Sequence, residues 1–212
     1  GELLHATPLT IGEYVWGKFT AVCAMFGIAL LFQAASAALC NHVLVSAQSA
    51  EFVGPFSLAN YLVPMVVFAL PVMVFLAGTS LLVGTWTKKP VLVFLLPTAL
   101  LLVSIFFLWD FSPAWLSQAW NRFLMLVDPA GWRWLNETWL KVDRGVEFYN
   151  AEFVGLDASF VLSRIAFAAL GLASVGLVQV RLERTQRASR VTAASAARAT
   201  TAAPAEVRPA LG

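Results

Sequence analysis

The sequence predicts an all-α, polytopic transmembrane helix bundle with four spans, and three observations carry that expectation. Hydrophobic residues make up 59% of the 212-residue chain and charged ones only 12%, a balance found in membrane proteins and not in water-soluble domains. Leu58 to Trp86 and Pro90 to Trp109 contain no Asp, Glu, Lys or Arg, and each can cross a hydrocarbon core about 30 Å thick at about 1.5 Å per residue. Backbone inside a bilayer must satisfy its own hydrogen bonds, so both runs are expected to be helical. The Thr87-Lys88-Lys89 break must then lie outside the hydrocarbon, which makes the pair a transmembrane hairpin.

Residues 1–14 read as a helix entry outside the membrane. Thr7 with Pro8 suits an N-cap and first helical position, and Thr10 with Glu13 has capping-box spacing. The first span is placed at about 15–40. Lys18 is the only charge from Tyr14 to Leu44, and Tyr14, Trp16 and Lys18 read as interfacial anchors. Ala21, Ala24, Gly27, Ala34, Ala35 and Ala38 would permit close helix packing. Gly12 to Lys18 fits the first seven positions of a phosphate-binding P-loop, but Phe19 stands where Ser or Thr must hold magnesium. With no preceding strand and a helix bound for lipid, nucleotide binding there is rejected. Cys23 and Cys40 lie 17 positions apart, about 25 Å along one helix, too far for a disulfide and more in keeping with small apolar residues.

The second span, about 58–86, follows a polar connection and contains Pro64 and Pro71; the third, about 90–110, contains Pro97. Interior prolines remove helical hydrogen bonds, so all three are candidate bending positions, although neighbouring helices can also tolerate them for packing alone. Residues 111–157 form the longest extramembrane segment and hold Trp115, Trp120, Trp132, Trp134 and Trp139. Ser112-Pro113 reads as a helix start, after which Trp115, Ala119, Phe123 and Leu126 recur at helical spacing. Two readings stay open for it: an amphipathic helix at the lipid interface, or a small cap packed on the span ends. Asp128-Pro129-Ala130-Gly131 signals a turn, and Asn136-Glu137-Thr138 is a glycosylation sequon that matters only if this face meets a secretory lumen.

The fourth span is placed at about 158–181, with Gly171 and Gly176 as packing positions. Arg164 near its start is read first as snorkelling to the interface and second as polar inside the bundle. Residues 183–212, basic and then rich in Ala, Thr, Ser and Pro, are expected to form a disordered tail after a transmembrane domain at 1–182. Segments 1–14, 87–89 and 181–212 carry Lys88, Lys89 and six arginines, whereas 41–57 and 111–157 carry four basic residues against seven acids. The first set is therefore expected on the cytoplasmic side, with both ends of the chain.

Glu2-Leu3-Leu4-His5-Ala6-Thr7-Pro8-Leu9-Thr10, then Glu13-Tyr14 and Gly17-Lys18-Phe19, resembles the entry to a middle span in permeases of the ABC-2 type. Gly54-Pro55-Phe56, the Pro-containing second span and the Leu126-Val127-Asp128-Pro129 turn extend the resemblance over most of residues 1–182, toward the branch whose members can be fused to an M1-type aminopeptidase. The resemblance implies six spans, of which this chain would supply the last four, with two more and most of a cytoplasmic coupling helix upstream. It further implies a permease homo- or heterodimer in a membrane, taken to be the bacterial plasma membrane. A separate ATP-binding subunit would hold ATP and magnesium and drive substrate outward. Glu2, Leu3, Leu4, Lys88 and Lys89 would be the cytoplasmic contact residues. No catalytic, cofactor or metal residue is expected in this chain, nor a nucleic-acid partner. His5 and His42 are its only histidines, so no His-Glu-x-x-His peptidase motif is present. A structural or anchoring membrane protein is the alternative. A membrane-embedded enzyme is the more distant one, since it would need a polar cavity such as Asp110, His42 and Arg164 could ring. The transported substrate is left open.

Overall fold

The computed structural model describes residues 9–44, 53–109, 113 and 115–202. Among them every regular element is helical, so the protein is all-α. Helix α1 (Ile11–His42) starts on the expected capping box: the Thr10 amide donates to Glu13 Oε2 at 2.7 Å and the Glu13 amide donates to Thr10 Oγ1 at 3.3 Å. Gly12 to Lys18 lies inside this helix and forms no loop. The second span is α2 (Leu58–Pro64), a π-helical turn (Met65–Ala69) and α3 (Leu70–Thr87). The third is α4 (Pro90–Val103) followed by a second π-helical turn (Ser104–Leu108). A cap follows, made of α5 (Gln118–Val127), α6 (Trp132–Leu135), a third π-helical turn (Asn136–Leu140) and α7 (Val146–Ala151). The last helix is α8 (Ala158–Ala202). Four helical segments, Ile11–His42, Leu58–Thr87, Pro90–Leu108 and Ala158–Ser195, are long and apolar enough to cross a membrane, as an integral membrane protein requires.

Two prolines explain where the second span departs from α geometry. Pro64 has no amide to donate to Asn60 and Pro71 none for Val67, so the helix between them loosens by one residue per turn, and the Leu70 amide donates to the Met65 carbonyl. The third span stays α-helical through Pro97 as far as Val103 and makes the same register shift only after it, with the Trp109 amide on the Ser104 carbonyl at 2.9 Å. Between the two spans Lys88 takes the left-handed conformation (φ 54°) and caps α3 by donating its amide to the Gly84 carbonyl, which lets Pro90 begin α4.

Spans two and four form the tightest pair. A Cβ on Gly78 would lie 2.1 Å from the Gly171 carbonyl oxygen, and one on Gly171 would lie 2.4 Å from the Val74 carbonyl oxygen. The two backbones touch, and only glycine on both sides permits it. Lipid tails are as apolar as leucine, so such close contact replaces the hydrophobic effect as the force that holds spans together. Gly176, expected to pack likewise, has nothing within 4 Å, and neither has Gly27 of α1. Instead α1 is buried at one end, where Val15 and Phe19 pack with Val175 and Val178 of α8 and Trp16 Nε1 donates to Gln179 Oε1 at 2.9 Å.

Thr7 and Pro8, the other helix entry expected, lie outside the described residues. Two boundaries differ from expectation. Helix α5 begins after Ser117, whose Oγ accepts from the Trp120 amide, and Trp115 sits in the turn before it. The expected disordered tail at 183–212 is instead helical as far as Ala202, with 203–212 outside the described residues. Residues 181–202 contain neither Gly nor Pro and are rich in Ala and Arg, strong helix formers. Thr185, Ser189 and Thr192 turn their hydroxyls back onto carbonyls one turn earlier, so they do not compete with the helix.

Candidate functional site

A cavity of about 570 Å³ opens between the first three spans beneath the cap. Its α1 wall consists of Leu30, Gln33, Ala34 and Ala37. The second span faces it with one stripe that includes Tyr61, Met65, Phe68, Val72 and Leu76, and with Pro64 and Ala69 from the π-helical turn and its border. Pro97, Leu100, Leu101 and Ser104 close the third side, and Pro129, Ala130 and Trp132 roof it. No lining residue is charged.

The roof is fixed by a buried polar cluster that the sequence does not reveal. Asp128 and Arg133 are fully buried, and Arg164 is 3% exposed. The Asp128 carboxylate accepts from Ser104 Oγ (3.1 Å) and from the amides of Ala130 (3.1 Å) and Arg133 (2.9 Å), which ties the Asp128–Gly131 turn to the third span. Arg133 donates to Asn121 Oδ1 of α5 through Nε and Nη2, and to the Leu108 carbonyl through Nη1. Arg164 reaches up from α8 to the Pro129 and Asp128 carbonyls at 2.6 and 2.5 Å, with its guanidinium over the Phe160 and Phe167 rings. Its primary reading as a snorkelling residue is thereby corrected. The carbonyls of a turn that has no helical partners give the guanidinium a better site than the interface does.

Aromatic stacking adds a second fastening. Trp134 stacks on Phe160 with ring centroids 4.0 Å apart, and Phe68, in the π-helical turn of the second span, leans on both. Gly131 sits in this contact at φ 74°, with Phe160, Phe68 and Arg164 all within 3.2 Å of where a Cβ would be, so both conformation and space demand glycine. Trp134 Nε1 donates to Asp157 Oδ1 at 2.7 Å. Asp157 also caps α8 by accepting from the Phe160 amide. Burial acts to raise the Asp157 pKa, but hydrogen bonds from Ser159, Trp134 and backbone amides outweigh it and hold the carboxyl below its usual range.

Helix α5 packs on the span ends, as the cap reading expects, and keeps several apolar side chains exposed. Asn121 and the Leu126 carbonyl bind Arg133 and Ser163. Trp120, Phe123 and Val127 stay exposed, with Trp120 and Phe123 edge to face at 5.7 Å. Asn136 of the sequon donates its side-chain amide to the Trp109 carbonyl.

Of the residues singled out from sequence, Pro64 and Pro97 meet at the cavity, on opposite walls. Pro71 is buried at the start of α3 and outside the lining. Lys88 and Lys89 are exposed in the hairpin turn, and Arg181 lies over the Trp86 ring near the same end. Glu2, Leu3 and Leu4 are outside the described residues, as is Asp110. His42 packs against Phe56 and Tyr61, and Arg164 against the cap, so these two ring no common cavity. Cys23 and Cys40 are both free thiols, and no group of His, Cys, Asp and Glu among the described residues is arranged to hold a metal. The chain matches no protein-family profile, no curated protein and no solved structure.

Proposed function

We propose that the chain is a membrane-spanning permease subunit of an ATP-driven exporter of the ABC-2 type, acting as a homo- or heterodimer with a separate ATP-binding subunit. The observation that carries this reading is the cavity between spans, two of whose walls hold π-helical turns, the first of them flanked by Pro64 and Pro71. Such turns are common at functional sites, because a helix that is already one hydrogen bond out of register can shift at low cost. The resemblance of Glu13-Tyr14, Gly17-Lys18-Phe19 and Leu126-Val127-Asp128-Pro129 to ABC-2 permeases supports the same reading.

In it the Lys88-Lys89 turn and the basic end of α8 face the cytoplasm of a bacterial plasma membrane, and the cap faces outward. ATP and magnesium belong to the partner subunit. This chain breaks no bonds: it holds cargo in the cavity and changes shape as the ATPase favours one arrangement of the bundle over another. Lys88 and Lys89 stand where a cytoplasmic partner can press on the hairpin. Purification of the full-length protein from its native membrane, followed by transport assays in vesicles, tests the proposal. An ATP-binding subunit should co-purify, and ATP-dependent export should stop when that subunit's hydrolysis is disabled. Absence of any ATP-binding partner would contradict it and favour an anchoring role.

A further inference from the structure

We infer that the cavity binds a lipid-like amphiphile with an uncharged head, its hydrocarbon body lying along the second span and its head at the cap end. The inference rests on the exporter reading only for calling this molecule the cargo. Its size comes first: about 570 Å³ falls within the roughly 300–1,000 Å³ of small-molecule sites. Its shape follows from the lining. Tyr61, Met65, Phe68, Val72 and Leu76 form one stripe of the second span, and positions 61 and 76 are about 22 Å apart along a helix, so the site is a slot parallel to the spans.

Chemistry divides the slot along its length. Toward mid-bilayer its walls are Leu30, Val72, Leu76, Pro97 and Leu100, which offer no hydrogen bond. Asn60 and Tyr61 stand at the cap end, and Gln33 faces the slot from α1. The side-chain amides of Asn60 and Gln33 make no hydrogen bond among the described residues, so each can both donate to and accept from a hydroxyl or ester. With no charged residue in the lining, an ionised head would be desolvated without a partner, whereas an uncharged polar head is satisfied at the cap end by the Asn60 amide, and Gln33, about 12 Å deeper than the Asn41–Tyr61 level, can meet an ester or hydroxyl nearer the body. Access is available from the bilayer, because α1 is anchored at its far end by Val15 and Phe19 and has no buried residue beyond them.

The test uses the full-length protein in vesicles with two photoactivatable probes, a monoacylglycerol (uncharged head) and a lysophosphatidic acid (anionic head). The monoacylglycerol should label peptides covering residues 58–76 and 97–104 saturably and in preference to the anionic probe. Ala34→Phe and Ala69→Phe fill the slot from opposite walls, and each should cut labelling by about tenfold. Val66→Phe, at a position 53% exposed and outside the lining, should leave it unchanged. Undiminished labelling in both slot-filling variants, labelling spread over the exposed face of α1, or preference for the anionic probe would overturn the inference. Labelling requires no ATPase, so an ATP-binding partner without slot labelling overturns this inference alone, and labelling without such a partner overturns only the exporter reading.

Discussion

Spans one and four have the same mean hydropathy, 2.0, yet the apolar window of α1 is 0% buried whereas 28% of that of α8 is buried. Hydropathy places a helix in the bilayer; it does not say what the helix packs against. What separates the two is a few residues. Helix α8 has Gly171 in backbone contact with the second span and Arg164 on the cap carbonyls, while α1 has neither device: its buried contacts, made by Val15 and Phe19 beside Trp16, lie at one end, and at the other Asn41 and His42 touch Tyr61 and Phe56 only at the surface. A fixed pair of spans with a third helix unburied along most of its length is a suitable frame for a cavity that must fill and empty.

The largest expected effect is on the fixed pair. Gly171→Leu drives a side chain into the Val74 carbonyl and should cost about 3 kcal/mol or more in overpacking, whereas Gly176→Leu, in open space, should change stability by less than about 0.5 kcal/mol. Thermal unfolding in detergent, followed by tryptophan fluorescence, measures both; equal losses would remove the distinction between the two glycines. Next is Arg164→Met, which keeps bulk but leaves the Pro129 carbonyl without its guanidinium donor and the Asp128 carbonyl with the Gly131 amide alone, at about 2–3 kcal/mol. Hydrogen exchange should then rise in residues 118–140 and stay unchanged at the Val15–Val175 end.

Pro71→Ala restores an amide that can donate to Val67 and should tighten the Met65–Ala69 turn. Transport should fall while membrane insertion stays normal; an unchanged transport rate would return this proline to packing alone. A smaller effect is expected at the outer face of α5. Trp120→Ser should leave stability within about 0.5 kcal/mol but reduce fluorescence quenching by brominated lipids, since Trp120 is 62% exposed. The smallest concerns pH. The folded-state pKa of Asp157 lies below its unfolded value, so its contribution is present above about pH 4 and is lost as pH falls through the folded pKa. The stability difference between wild type and Asp157→Asn should therefore shrink on acidification, and a difference that grows would reverse the sign.

Much of the fold could be read from the chain because bilayer physics is severe: uncharged runs at 58–86 and 90–109 have no soluble alternative, and Lys88-Lys89 must mark their turn. Thr10 and Glu13 were legible as a cap because that motif is local. The polar cluster was not, because Asp128, Arg133 and Arg164 are joined across 24 to 36 positions to Ser104, the Leu108 carbonyl and the 128–129 turn, and a lone arginine in a span does not announce which carbonyls it will reach. One signal was available in retrospect: Asp128-Pro129-Ala130-Gly131 exposes turn carbonyls that need donors, and Arg164 is the nearest charge on the following span. Gly27 on α1 misled for the same reason that Gly176 did, since smallness permits contact but does not specify a partner.

The contrast between the two spans is tested most directly by distances between paired spin labels in the full-length protein in lipid. One pair joins Cys40 at the cap end of α1 to position 159 on α8, with Cys23→Ser and Ser159→Cys; the other joins positions 20 and 184 at the opposite end, with Thr20→Cys, Arg184→Cys and both native cysteines replaced. The account predicts a broad distance distribution at the cap end and a narrow one at the Val15–Val175 end. Equally narrow distributions at both ends would show that α1 is fixed along its whole length and would contradict it.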